Sequence, residues 1–160
     1  MDLSNRIGLY QILSTAATRY DGPDAALEAR FENHKLWLDS KGKNGERFRA
    51  RENEVFSGFN LSDLDLRKAI LSGATFDSCS MFDTNLSQAD AQGTIWIKSL
   101  LRRTKFNGTN IEGARFEGCE YERKQFRHAS GKSNVFWTAE EIREAEKKNE
   151  DAAALQLNHS

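Results

Sequence analysis

The sequence predicts a repeat solenoid, a narrow tube wound from a five-residue unit, and two registers of the chain predict it. Phe56, Leu61, Leu66, Leu71, Phe76 and every fifth residue onward to Phe126 are large and apolar, with Ala91 the one exception. Two positions before each centre, from Ala69 to Cys119, stands Ala, Cys, Thr or Ser. A fixed period marks a repeat architecture, and neither the helical period nor the strand period of two accounts for this one. A large and a small residue recurring together suit a tube into which both point. The remaining positions are mostly Asp, Asn, Arg, Lys, Glu, Ser and Gly, as an outer surface requires.

The elements follow in chain order. In residues 3–19, Leu3, Ile7, Tyr10, Leu13 and Ala17 make one helical stripe, and Asp21-Gly22-Pro23 breaks it. Pro23 suits the first turn of a second helix. That helix, residues 24–40, carries the stripe Leu27, Phe31, His34 and Leu38 and is ended by Gly42. Between residues 46 and 60 the repeat falters. Arg47-Phe48-Arg49-Ala50 sets a phase centred on Ala50 and Val55, whereas the downstream pattern asks for Phe56, so the first coil is irregular. After Gly131, Thr138-Ala139-Glu140-Glu141 is a capping-box signal for a helix to about residue 150, and the tail from Asp151 to Ser160 is expected to fray. Phe136 and Trp137 stand where they can plug the tube, whose last coil would otherwise expose core and backbone. The domain organisation read this way is a helical cap over 1–45, the repeat over 46–128, and end plug, helix and tail over 129–160.

Ala69-Ile70-Leu71-Ser72-Gly73, Thr84-Asn85-Leu86-Ser87-Gln88 and Thr109-Asn110-Ile111-Glu112-Gly113 resemble the alanine/threonine–asparagine–leucine–serine–glycine consensus of the pentapeptide-repeat family. The resemblance runs over roughly 46–128. It implies an all-β solenoid, a right-handed quadrilateral β-helix of nearly four coils with N-terminal helices and a C-terminal capping helix at its ends. Coils of about twenty residues would be spaced like neighbouring strands, about 4.8 Å apart. His34, Trp37, Leu38, Gly42, Gly45 and Arg47 resemble the helical lead-in of some members, which implies an N-terminal cap. Stacking at that period puts Phe56, Phe76, Trp96 and Phe116 in one core column. The others are Leu61, Met81, Leu101 and Tyr121; Leu66, Leu86, Phe106 and Phe126; and Leu71, Ala91 and Ile111. Ala91 directly precedes the Trp96 centre, which reads as compensation of volume. Cys79 and Cys119 fall on one face two coils apart, roughly 10 Å. That is too far for a disulfide, so two buried free thiols are expected.

Composition narrows the function classes. The length of 160 residues suits one domain. A formal net charge of -1 gives no bulk attraction to nucleic acid or an anionic membrane. No apolar run approaches membrane-spanning length. Met1 to Tyr20 carries Gln11, Ser14 and Thr15 in its apolar stretch and lacks a basic start, unlike a signal peptide, so a cytoplasmic protein is expected. His34, His128 and His159 are scattered, without metal-ligand spacing to the cysteines. No P-loop, dinucleotide fingerprint, nucleophile elbow or HExxH motif is present. Glu117, Glu120 and Glu122 lie where surface carboxylates are simply solvated. A filled tube with flat walls also lacks a concave pocket. The reading is therefore not an enzyme, with no catalytic residue, metal or cofactor, and with His34 as a satisfied contact between helix and core.

Exceptions on the outer surface carry the rest. Ile95 and Ile97, beside Trp96, are apolar where the pattern calls for polar residues, as are Leu100 and Phe82. Contiguous apolar surface ringed by charge marks a contact site, and the ring is Lys98, Arg102, Arg103 and Lys105. Phe82, Ile95, Ile97, Leu100, Arg102 and Arg103 are thus the candidate partner-binding residues. The competing explanation is that the helix of residues 3–19 covers them. Charge is uneven as well. Residues 54–93 hold six acids (Glu54, Asp63, Asp65, Asp77, Asp83, Asp90) and two bases (Arg67, Lys68), whereas residues 94–128 hold four acids and eight bases. Some pentapeptide-repeat proteins that protect or inhibit DNA gyrase act as acidic mimics of duplex DNA, often as dimers joined through terminal segments. By that resemblance Asp63, Asp65, Asp77, Asp83 and Asp90 would be the mimic surface, and the basic half argues against a complete one. The leading expectation is a non-catalytic module, with an inhibitor as its finer form, whose partner is another protein. The alternatives are mimicry against a DNA-handling protein and a structural part that oligomerises through its termini. Direct nucleic-acid binding by Lys98, Arg102, Arg103 and Lys105 is disfavoured, since so few bases leave a small electrostatic footprint.

Overall fold

What bends short extended pieces into a tube is a recurring left-handed residue. In the computed structural model, which describes residues 21–158, every fifth residue from Asn53 to Gly118 has a positive φ. At a typical corner the Ala69 N–H donates to the Leu66 carbonyl at 3.1 Å while Lys68 holds φ 61°, as a type II turn requires of its third residue. Glycine fills this place at Gly73, Gly93 and Gly113; Lys68, Asp83, Gln88 and Arg103 adopt it with a side chain.

Successive coils then hydrogen-bond in parallel. Bridges between adjacent coils run from Asn60 to Ser80 to Leu100 to Glu120, from Asp65 to Asn85 to Lys105, and from Ile70 to Asp90 to Asn110 to Ser130. The fourth side is regular enough to form strands: β1 (Val55–Ser57), β2 (Thr75–Asp77), β3 (Ile95–Ile97) and β4 (Arg115–Glu117), paired in that order with Phe56, Phe76, Trp96 and Phe116 in register. The tube thus has a sheet wall and, in chain order around it, walls centred on Leu61, Leu66 and Leu71.

The columns form as the sequence indicates. Ring centroids in the sheet-wall column are 4.9 Å apart for Phe56–Phe76, 4.2 Å for Phe76–Trp96 and 5.9 Å for Trp96–Phe116. In the small register, Thr84, Thr104 and Thr109 donate to the carbonyls of Leu61, Met81 and Leu86 in the preceding coil, each at 2.7 Å. Thr94 differs. Its hydroxyl donates to the Ala91 carbonyl at 2.7 Å and accepts from the Trp96 indole N–H at 2.8 Å. The small centre and the indole are linked through that hydroxyl, and both are fully buried.

Both ends of the coil carry an irregularity. Arg49 bridges Ile70 rather than the residue before it, while Val55 pairs with Thr75. One extra residue is therefore taken up between Ala50 and Asn53, so Ala50 and Phe56 are both inward and Val55 is exposed. At the far end Asn110 bridges Ser130 but Arg115 bridges Phe136, so a second extra residue lies between them. That shift puts Trp137 on Phe116, with centroids 5.1 Å apart and planes within 11°. Trp137 is the plug, whereas Phe136 continues the sheet wall.

The flanking helices depart from expectation in detail. α1 (Ala25–Asp39) starts at Asp24, whose carboxylate accepts the Leu27 N–H at 2.8 Å, so Pro23 precedes the cap instead of entering the first turn. It ends in a Schellman turn: Lys41 takes φ 56°, and the Gly42 N–H reaches the Trp37 carbonyl at 2.7 Å. α2 (Ala139–Leu157) opens with the Thr138/Glu141 capping box and runs past residue 150, because Ala152–Ala154 favour helix and no Gly or Pro interrupts them. Cys79 and Cys119 are free thiols, but Cys119 is only half-buried, since the chain after it leaves for α2 and lays no further coil over it. The stripe of residues 3–19 and His159 lie outside the described residues.

Candidate interaction walls

The six residues singled out for partner binding meet at one corner. Ile95 and Ile97 flank Trp96 on β3 and face outward on the sheet wall. Leu100 and Arg102 flank Leu101 on the adjoining Leu61 wall, and Phe82 lies one coil below Arg102. The Arg103 guanidinium sits 5.3 Å from the centroid of the Phe82 ring and 2.9 Å from the Asp83 carboxylate. Arg102 pairs with Glu120 at 3.2 Å. The apolar members are half-buried rather than fully open. On a flat wall each is shouldered by side chains of the coils on either side, about 4.8 Å away. Val55, 59% exposed, and Phe136 share the Ile95 column. The linear reading missed both, since each lies beside one of the extra residues.

The five candidate acids are not brought together. Asp77 is on the sheet wall, Asp63 and Asp83 follow the Leu61 wall at its corner, Asp65 is on the Leu66 wall and Asp90 on the Leu71 wall. Asp65 is held by Arg67 at 2.7 Å. Burial pushes its carboxyl up, but the hydrogen bonds and charge of Arg67 outweigh this and hold it below the usual carboxylate range. Asp77 accepts from Ser78 and Asp90 from Gln92.

Charge is sorted by wall. With each wall's following corner included, the Leu66 wall carries Arg67, Lys68, Lys105 and Arg127 against the single acid Asp65. The sheet wall balances Asp77 and Glu117 with Lys98 and Arg115. The Leu61 wall sets Asp63, Asp83, Glu120 and Glu122 against Arg102, Arg103 and Arg123, and the Leu71 wall sets Glu52, Asp90 and Glu112 against Arg49, Arg51 and Lys132.

His34 and the two cysteines are committed to structure. His34 is fully buried; its Nδ1 accepts the Phe48 N–H at 3.0 Å, so Nε2 carries the proton and donates to the Arg67 carbonyl at 3.1 Å. Burial lowers its pKa, against the smaller raising effects of the Arg67 carbonyl and Asp65. Burial pushes the Cys79 and Cys119 thiols up to about 11, far from the thiolate that a nucleophile requires. Among the described residues no group of His, Cys, Asp and Glu could hold a metal ion, and no helix is long and apolar enough to cross a membrane. A cleft of about 420 Å³ lies between the end of α1 and the lower Leu66 wall, lined by Trp37, Lys41, Arg67, Lys68 and Gln88 among others.

The sequence matches the family model of pentapeptide repeats in 8 copies, over residues 55–83 and 84–120. No curated protein matches the sequence. Among 22 solved chains that match, QnrB1, a plasmid-mediated fluoroquinolone resistance protein, is 16% identical, with 46% of this chain and 51% of that one covered and a TM-score of 0.31. A pentapeptide-repeat protein of the Arabidopsis thaliana thylakoid lumen is 18% identical, with 52% and 61% covered and a TM-score of 0.29. The chain therefore spans about half of the first and about three fifths of the second. Proteins of such repeats are generally structural or binding proteins rather than enzymes. With the family match over residues 55–120 and the five-residue period and left-handed corners running through the same stretch, that part of the chain is built of pentapeptide repeats.

Proposed function

We propose that this protein is a non-catalytic binding module that docks another protein at the corner between its sheet wall and its Leu61 wall. The observation that carries the reading is the clustering there of Phe82, Ile95, Ile97 and Leu100, edged by Arg102 and Arg103, on a surface whose other outward positions are mostly polar. Aromatic residues and Arg supply much of the binding energy at protein interfaces. A stacked, filled coil presents them with little conformational freedom left to lose on binding. In its finer form the module inhibits by occupying its partner's working surface. Duplex mimicry finds less support, because its five carboxylates are spread over four walls and Asp65 and Asp83 are each held by an Arg.

The test is capture of partners from bacterial lysate by the purified protein, with its mass followed by light scattering. Ile97→Asp and Leu100→Asp are each expected to weaken a specific complex at least about tenfold, with melting temperature nearly unchanged. If either substitution unfolds the protein, the corner is core and the reading fails. Elution of the partner by duplex DNA would hand the function to mimicry, and a clean homo-oligomer without a partner to a structural role.

A further inference from the structure

The Leu66 wall, opposite the sheet wall, is the one with a clear surplus of bases, and its one acid is already clamped by Arg67. Among the described residues no carboxylate pairs with Lys68, Lys105 or Arg127. All three are exposed. Further cations stand at the ends of the wall, offset at the lower end by Asp39, whose charge acts on Arg67. Arg47 donates to the Lys68 carbonyl and lies over Trp37, Lys41 lines the same cleft as Lys68, and the Lys132 ammonium reaches the Arg127 carbonyl at 2.9 Å. Between these cations lie the uncharged Asn85, Ser87, Gln88 and Asn107, which offer hydrogen bonds and no repulsion to a carboxylate.

We infer that the Leu66 wall is a second docking surface, and that it takes an acidic segment of a partner protein lying along the coil axis. From the coil of Lys68 to that of Arg127 is three coil steps, about 14 Å, the reach of roughly four extended residues. A protein segment fits better than nucleic acid on two counts. A duplex is wider than this wall and would bring its phosphates against Glu120 and Glu122 on the neighbouring wall, whereas a single extended segment can keep to the wall's own cations. The outward positions of the wall's own repeats carry no Phe, Tyr or Trp for bases to stack on, and Trp37 at the lower end already has Arg47 over its ring. The inference stands on the charge of this wall and is independent of the apolar corner.

Fluorescence anisotropy tests it, with a labelled peptide of about twelve residues alternating Glu and Ser, at about 50 and about 300 mM NaCl. Binding is expected at the lower salt, at least about tenfold weaker for Lys105→Glu and for Arg127→Glu, and unchanged for Lys98→Glu on the sheet wall. Ile97→Asp should also leave it unchanged, which separates this surface from the corner. Melting temperatures of the variants guard against unfolding. No binding at about 50 mM NaCl, or equal losses in Lys98→Glu and Lys105→Glu, overturns the inference. So does a labelled duplex DNA bound more tightly than the peptide and lost in the same two variants, which would make the occupant nucleic acid.

Discussion

Gly73 and Gly131 share a φ of 73° and differ in what surrounds them. At Gly73 a Cβ would meet nothing within 4 Å, so Gly73→Ala tests the backbone alone and should cost about 1–2 kcal/mol. At Gly131 the same Cβ would fall 2.6 Å from the Glu112 nitrogen and 2.8 Å from the Asn110 side-chain oxygen. Gly131→Ala should therefore cost clearly more, and urea titrations of the two variants give the comparison; equal losses would mean that the last coil yields. Ala91→Leu should cost about 1–3 kcal/mol by overpacking, because the Trp96 indole and the Thr94 hydroxyl already occupy the layer. An unchanged melting temperature would show that the layer holds a void. At this scale the sequence was legible wherever size decides, as at Ala91 beside Trp96. It was less legible where conformation decides: nothing in the identity of Lys68 or Gln88 marks a left-handed corner, and only the phase of the repeat does.

α1 is attached to the coil by a small set of polar contacts around aromatic packing. Arg30 pairs with Glu54, Phe31 stacks on Phe48 at 4.9 Å, and His34 joins the Phe48 N–H to the Arg67 carbonyl. The His34 contact has a sign in pH. An unfolded histidine takes up a proton below about pH 6.5, while burial keeps the folded one neutral further down. Protons thus favour the unfolded state, and stability should fall as pH drops from about 6.5 toward 5. In Glu54, burial raises the carboxyl but the Arg30 and Arg51 contacts outweigh it and hold it low, so its contribution persists through that window and fades at more acid pH. Denaturant midpoints between pH 8 and 5 should decline in the wild type and less so in His34→Gln, which keeps one donor and one acceptor; identical slopes would place the titration elsewhere. The capping box of α2 and the stripe of Leu27, Phe31 and His34 are written locally, and they were readable. The two extra residues were harder to read, because the chain states only that phases disagree, and the hydrogen bonds between coils decide where the residue is taken up.

A solenoid distributes stability by neighbourhood: each coil touches only the coils beside it, so interior coils are held on two sides and the outermost on one. In this molecule the ends are not bare, since α1 and Phe48 cover the first coil and Trp137 the last. Charge obeys the same geometry. Along the chain it divides into an acidic and a basic half, but winding regroups it by wall, so the cationic Leu66 wall emerges only when the bases of separate coils are set in one column. Backbone protection should follow the neighbourhood rule as well. Amides of β2 and β3 and of the corners beside them, bonded to coils on both sides, should exchange slowest. Those of α2, which touches no strand but β4, should exchange fastest of the described elements. Hydrogen exchange followed by mass spectrometry reads this directly. Uniform protection from β1 to β4 would mean that the coils open as one unit, whereas protection of α2 equal to that of β3 would mean that the helix is fastened to the rod rather than projecting from its end.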